Sequence, residues 1–104
     1  MKELEITQQP SPSGVVLCVV GSVDSTTAPE LQAAVLQATE APSGSVELNL
    51  AQVSFLSSAG LRALLMGSKA LQKRGERLTL SNVPPQIYNV LNLTGFTSFI
   101  DVKA

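Results

Sequence analysis

Ser54-Phe55-Leu56-Ser57-Ser58-Ala59-Gly60-Leu61-Arg62-Ala63-Leu64-Leu65 is the stretch on which the reading of this chain turns. An apolar segment closes at Leu56, two serines follow, and the spacing of a helix begins at once. A serine oxygen there can accept from a backbone N–H that the first helical turn leaves unpaired. Leu61, Leu64, Leu65 and Leu71 fall on one face, so a capped amphipathic helix is expected. Ala59 and Gly60 are too small to screen the turn, which predicts a place where a partner's backbone approaches closely. From these residues alone a capped helix with no further role remains open.

Upstream of the stretch, Val46-Glu47-Leu48-Asn49-Leu50 alternates cleanly and predicts a strand with one buried face. Before it, Leu31, Ala34, Val35 and Ala38 form the stripe of a first helix. Thr27 and Glu30 have the capping-box spacing at its start, and the helix stops near Ala41-Pro42-Ser43-Gly44. Glu3-Leu4-Glu5-Ile6-Thr7 predicts a strand with one wet face. Gln9-Pro10-Ser11-Pro12-Ser13-Gly14 predicts a turn, because proline cannot continue a ladder. Val15 to Val20 is a continuous apolar run, expected as a central strand buried on both faces and paired with the first as a hairpin.

Downstream, the serine-led helix ends in Lys69, Lys73, Arg74 and Gly75, which suit a helix C-terminus. Arg77-Leu78-Thr79-Leu80-Ser81 is a further alternating strand. Pro84-Pro85 opens a third helix with Ile87, Val90 and Leu91 inward and Gly95 as its stop. Phe99-Ile100-Asp101-Val102 either adds a last strand or folds back on the core. The order is β-β-α-β-α-β-α-β. Right-handed crossovers taken in one direction put successive helices on one side. The expected fold is therefore α/β, a small mixed sheet with its helices mainly on one face, in one domain over residues 1–104.

Composition narrows the function. Of 104 residues 44% are hydrophobic and 14% charged, which fits a folded globule. Seven Lys+Arg against eight Asp+Glu give a net charge of −1 and no basic stripe, so no nucleic-acid partner is expected. The longest apolar run is too short for a membrane span, and Met1-Lys2-Glu3-Leu4-Glu5 does not have the form of a signal peptide. No direct membrane insertion is expected, and a cytoplasmic location is the simplest fit. Histidine is absent, which removes the Ser-His-Asp and Cys-His sites and leaves too few ligands for a transition metal. With no Gly-rich phosphate loop either, the expectation is a protein that is not an enzyme and holds no cofactor or metal. Cys18, the only cysteine, is expected in the core.

Three segments resemble the STAS domain family, shared by bacterial anti-sigma factor antagonists and the cytoplasmic tails of sulphate transporters. They are Gly21-Ser22-Val23-Asp24, Val53-Ser54-Phe55-Leu56-Ser57-Ser58-Ala59-Gly60-Leu61 and Val90-Leu91-Asn92-Leu93-Thr94-Gly95-Phe96. The middle one is the most specific, and the similarity runs nearly end to end. The resemblance implies that Ser58 is the serine phosphorylated by an anti-sigma factor that is also a serine kinase. It implies that the unphosphorylated form binds that factor and releases the sigma factor, and that a serine phosphatase resets the cycle. The implied contact surface is Asp24, Ser25, Thr26, Ser57, Ser58, Ala59, Gly60 and Leu61. Asp24 is equally readable as a turn residue before Thr27.

One departure stands out: antagonists usually carry aspartate where this chain has Ser57. Ser57 is then either a plain cap or a second acceptor, and a negative charge that a partner reads is missing. An alternative implied role is a STAS subunit of a membrane transporter complex, acting as a protein-interaction module.

Overall fold

The computed structural model describes residues 4–40 and 44–103. The expected helix stop at Ala41-Pro42-Ser43 and the residues before Leu4 lie outside them. The chain begins with a hairpin. β1 (Leu4–Ser11) and β2 (Gly14–Val23) run antiparallel, with Ser11 opposite Gly14 across the two residues Pro12-Ser13 and Ile6 opposite Val19. The expected turn at Gln9-Pro10-Ser11 is therefore strand. β1 is the edge of the sheet, and an edge strand accepts proline where the missing N–H would face away from the ladder.

After the hairpin every connection is a parallel crossover. α1 (Ala28–Ala38) leads to β3 (Ser45–Leu56), α2 (Ser58–Gln72) to β4 (Thr79–Ser81), and α3 (Pro85–Leu93) to β5 (Asp101–Val102). A 3-10 turn, Phe96–Ser98, precedes β5. The strand order is β1-β2-β3-β4-β5, so each crossover steps to the next neighbour in one direction. Right-handedness then puts the three helices on one face, as expected.

That topology corrects the reading of Val15–Val20. Leu17 and Val19 are buried under the helices, whereas Val16 and Cys18 are half-buried and Val20 is 38% exposed. β2 is central, yet its second face has no layer over it. Cys18 sits on that open face and not in the core.

The core joins Leu17, Leu48 and Leu80 of the sheet to Leu31 and Val35 of α1, Leu64 and Leu71 of α2 and Leu91 of α3. The inward stripe of α2 is not the leucine row. It is Gly60, Ala63, Leu64, Gly67, Ser68 and Leu71, with Leu61 and Leu65 half-buried at its margin. The cause is close packing: a Cβ on Gly67 would overlap Cγ1 of Val35, which is fully buried. α1 and α2 approach through that glycine, so small residues occupy the inner face.

Arg74 closes the far end of this layer. Its guanidinium donates to the carbonyls of Thr39 at 3.0 Å and Gly44 at 2.7 Å. The side chain expected to serve the end of its own helix thus bonds Thr39, next after α1, and Gly44, next before β3. Gly75 and Gly95 take the left-handed conformation expected of helix stops, at φ +75° and +81°.

Candidate functional site

Parallel β2 and β3 deliver two segments to the same edge of the sheet, the one formed by the C-terminal ends of these strands. These are the turn from Asp24 to Thr27 before α1 and the serine-led start of α2. Val23 lies opposite Leu56, and the Ser57 N–H donates to the Val23 carbonyl at 2.8 Å. One backbone bond therefore fixes the two segments side by side.

The α2 start is built as expected. Ser57 is the N-cap, with extended backbone, and its Oγ accepts from the Gly60 N–H at 3.2 Å. Capping occupies the Ser57 oxygen and leaves that side chain half-buried. Ser58 is the first helical residue and is exposed, and its hydroxyl makes no hydrogen bond to another described residue. Of the two serines, Ser58 presents the free hydroxyl.

The turn before α1 differs from the capping box. The Thr27 hydroxyl donates to the Ser22 carbonyl at 2.8 Å and accepts from the Asp24 N–H at 2.9 Å, and no side chain caps the helix from position 27. Asp24 takes over: its Oδ1 accepts from the N–H groups of Thr26 at 2.9 Å and Thr27 at 3.0 Å. Asp24 is thus a turn residue at the front of α1, and it holds Ser25 and Thr26 exposed beside the serines.

The Thr27 and Thr26 N–H groups hold the Asp24 carboxyl below its ordinary value. A carboxyl whose folded value is depressed stabilises the fold above its unfolded value, about pH 4, and loses that contribution as the pH falls through the folded value. Carboxyl NMR titration is expected to place the Asp24 midpoint below that of an unfolded-chain aspartate. A midpoint at or above it would show that the turn bonds do not form in solution.

The structure brings together Asp24, Ser25, Thr26, Ser57, Ser58, Ala59 and Leu61 at this edge, with Ser25, Thr26 and Ser58 the most open and the others half-buried. Gly60 departs from expectation. It is buried, and a Cβ there would lie 2.6 Å from Leu56 Cδ1 and 2.7 Å from Val23 Cγ1. Its smallness admits the chain's own core. Its role is to let α2 start tight against β2 and β3.

Two residues belong to this edge that sequence reading did not single out. Phe55 is 51% exposed and stands opposite Ser22, next to the α2 start. Alternation continued from Val46–Leu50 also puts position 55 outward, although Gln52 and Val53 break the pattern where the β2–β3 register shifts. Arg62 is exposed one turn after Ser58, and the two line a shallow hollow of about 250 Å³ with Ala59. Its signal in the sequence is the i, i+4 spacing from Ser58.

Restoring the charge at position 57 separates capping from recognition. Ser57→Asp is expected to leave the thermal midpoint nearly unchanged, since one good cap replaces another, while Ser57→Ala costs about 1 kcal/mol. If the site works as the resemblance to the antagonists implies, partner affinity or phosphorylation rate moves in the aspartate variant. If neither moves, position 57 is a cap alone.

Among the described residues no group of three or more Asp, Glu and Cys is placed to hold a metal ion, and no helix is long and apolar enough to cross a membrane. The family model described as "Mlab, STAS domain" matches residues 6–101. BtrV of Bordetella bronchiseptica, a candidate anti-sigma factor antagonist, is 28% identical over 99 residues, covering 95% of this chain and 85% of that protein. The anti-sigma-B factor antagonist of Listeria monocytogenes is 29% identical over 86 residues, covering 82% of this chain and 75% of its own. The crystal structure of an anti-sigma factor antagonist from Mycobacterium paratuberculosis superposes with a TM-score of 0.86 at 23% identity, over 96% of this chain and 85% of that one. With the match spanning all three helices, and the serine-capped helix between β3 and β4 at its centre, the chain belongs to the STAS domain family.

Proposed function

We propose that this protein is an anti-sigma factor antagonist switched by phosphorylation of Ser58. Unphosphorylated, it binds a cytoplasmic anti-sigma factor with serine kinase activity and so frees the sigma factor. Phosphate on Ser58 blocks that contact, and a serine phosphatase restores it. The observation that carries the reading is the exposed Ser58 hydroxyl, free of internal bonds, at the first residue of α2 and beside the Asp24–Thr26 turn. The relatives named as anti-sigma factor antagonists support it.

The physics fits a reversible mark. A helix N-terminus accommodates an anion, because its unpaired N–H groups and dipole favour negative charge. The fold therefore tolerates the phosphate, whereas a docked protein surface meets roughly two added negative charges. Asp24, Ser25, Thr26, Ser57, Ala59 and Leu61 surround the acceptor as the contact surface, with Gly60 beneath them. The chain supplies the acceptor, and the partner supplies the catalysis.

Affinity capture from the source organism with and without ATP, followed by mass spectrometry of bait and partners, tests this. The expected result is a kinase-type protein retained without ATP and lost with it, with phosphate on Ser58. Capture of a membrane transporter ATPase, with no phosphate on Ser58, would replace this reading with the transporter-subunit role.

A further inference from the structure

We propose that Arg62 is the internal counter-ion of the phosphoryl group on Ser58, so that modification engages a cation of the contact surface as well as adding negative charge. The inference rests on the phosphorylation of Ser58 proposed above. Residues at i and i+4 are neighbours on a helix face, and an acid placed N-terminal to the base is the favourable order. Helical side chains lean toward the N-terminus, so Arg62 extends back over the turn that carries Ser58. Ser58, Ala59 and Arg62 line one hollow, and alanine between the two leaves room for a tetrahedral group.

Among the described residues nothing competes for Arg62: it makes no ion pair and no side-chain hydrogen bond, unlike Arg74 with Glu76 and Arg77 with Asp101. The N-cap of α2 is a serine and its first turn holds no acidic residue. The carboxylates on the adjoining segment are Asp24, bound to the turn N–H groups, and Glu30 in the first turn of α1. Arg62 thus lies next to the acceptor with its donors free. An arginine presents its fork to phosphate oxygens in a planar geometry that lysine cannot copy. In the unmodified protein that fork is open to a partner carboxylate, and phosphate on Ser58 would draw it inward.

The test uses the full chain with phosphoserine incorporated at position 58 during synthesis, which makes it independent of any kinase. Phosphorus NMR titrations compare the phosphoprotein with and without Arg62→Gln and Arg62→Lys. With Arg62 present, the second phosphate ionisation is expected about 0.15 to 0.4 pH unit lower than in Arg62→Gln, the effect of one i, i+4 charge pair, with Arg62→Lys in between. Circular dichroism of the unmodified variants checks that the fold is unchanged, as an exposed and unpaired side chain predicts. Identical titrations in the three proteins would overturn the inference. A titration difference accompanied by equal partner affinity for modified and unmodified chain would keep Arg62 as counter-ion and remove the switch.

Discussion

Chain phosphorylated at Ser58 is expected to bind its anti-sigma factor about a hundredfold more weakly than unmodified chain. Like charge set into a protein contact costs several kcal/mol, and each 1.4 kcal/mol is about a tenfold change in affinity. Ser58 is exposed at the helix start, so a phosphate there would stand in the proposed contact itself and not beneath it. Ser58→Ala is expected to bind as the unmodified protein does and to take no phosphate from the kinase. Ser58→Asp should reproduce only part of the loss, having less charge and fewer acceptor oxygens. Calorimetric titration of both forms, with phosphopeptide mapping, measures it. Equal affinities, or phosphate on Ser57, would remove the switch and leave a passive interaction module.

The second large effect is on stability. Leu64→Ala is expected to cost about 2–5 kcal/mol, the range for removing a buried leucine side chain where the surroundings cannot close up. Leu64 is 1% exposed, and it packs in the same core as Val35, Leu48 and Leu78. Leu65→Ala, one position on and half-buried, should cost clearly less. Urea melts of both variants measure the difference. Equal losses, or a loss below about 1 kcal/mol at Leu64, would mean that α2 is rotated from its observed face.

The contrast between those leucines shows where the sequence pattern stops being sufficient. Period and side-chain size point to Leu61, Leu64, Leu65 and Leu71 as one face. A helix pressed between a sheet and a second helix instead turns its smallest residues inward where the backbones meet. Gly67 faces Val35, and Gly60 faces Val23 and Leu56. Val35 and Val23 lie more than 30 residues before the glycines they meet, outside any local window, although Leu56 is only one turn from Gly60.

The same holds at the site. Ser57 as cap and Ser58 as the open hydroxyl are legible because capping is a local interaction between a side chain and the N–H three residues on. Thr27 and Glu30 have an equally good local pattern, yet the Thr27 hydroxyl is drawn off by the Ser22 carbonyl and Asp24 takes the turn N–H groups. Two local patterns competed there, and the turn leaving β2 decided between them.

Element order, the hairpin, the one-sided helix layer and the serine-led helix all follow from periodicity, turn residues and the hand of the crossover, which are properties of short segments and of chirality. The open second face of β2, the continuation of β1 through Pro10 and the reach of Arg74 to Thr39 and Gly44 do not. Nor does the bond from Ser57 to Val23 that sets the two halves of the site together. Each of these depends on what lies on the other side of a strand or across a loop. Burial and hydrogen-bond pairing at those places are settled only when the sheet has closed and the helices have covered one of its faces.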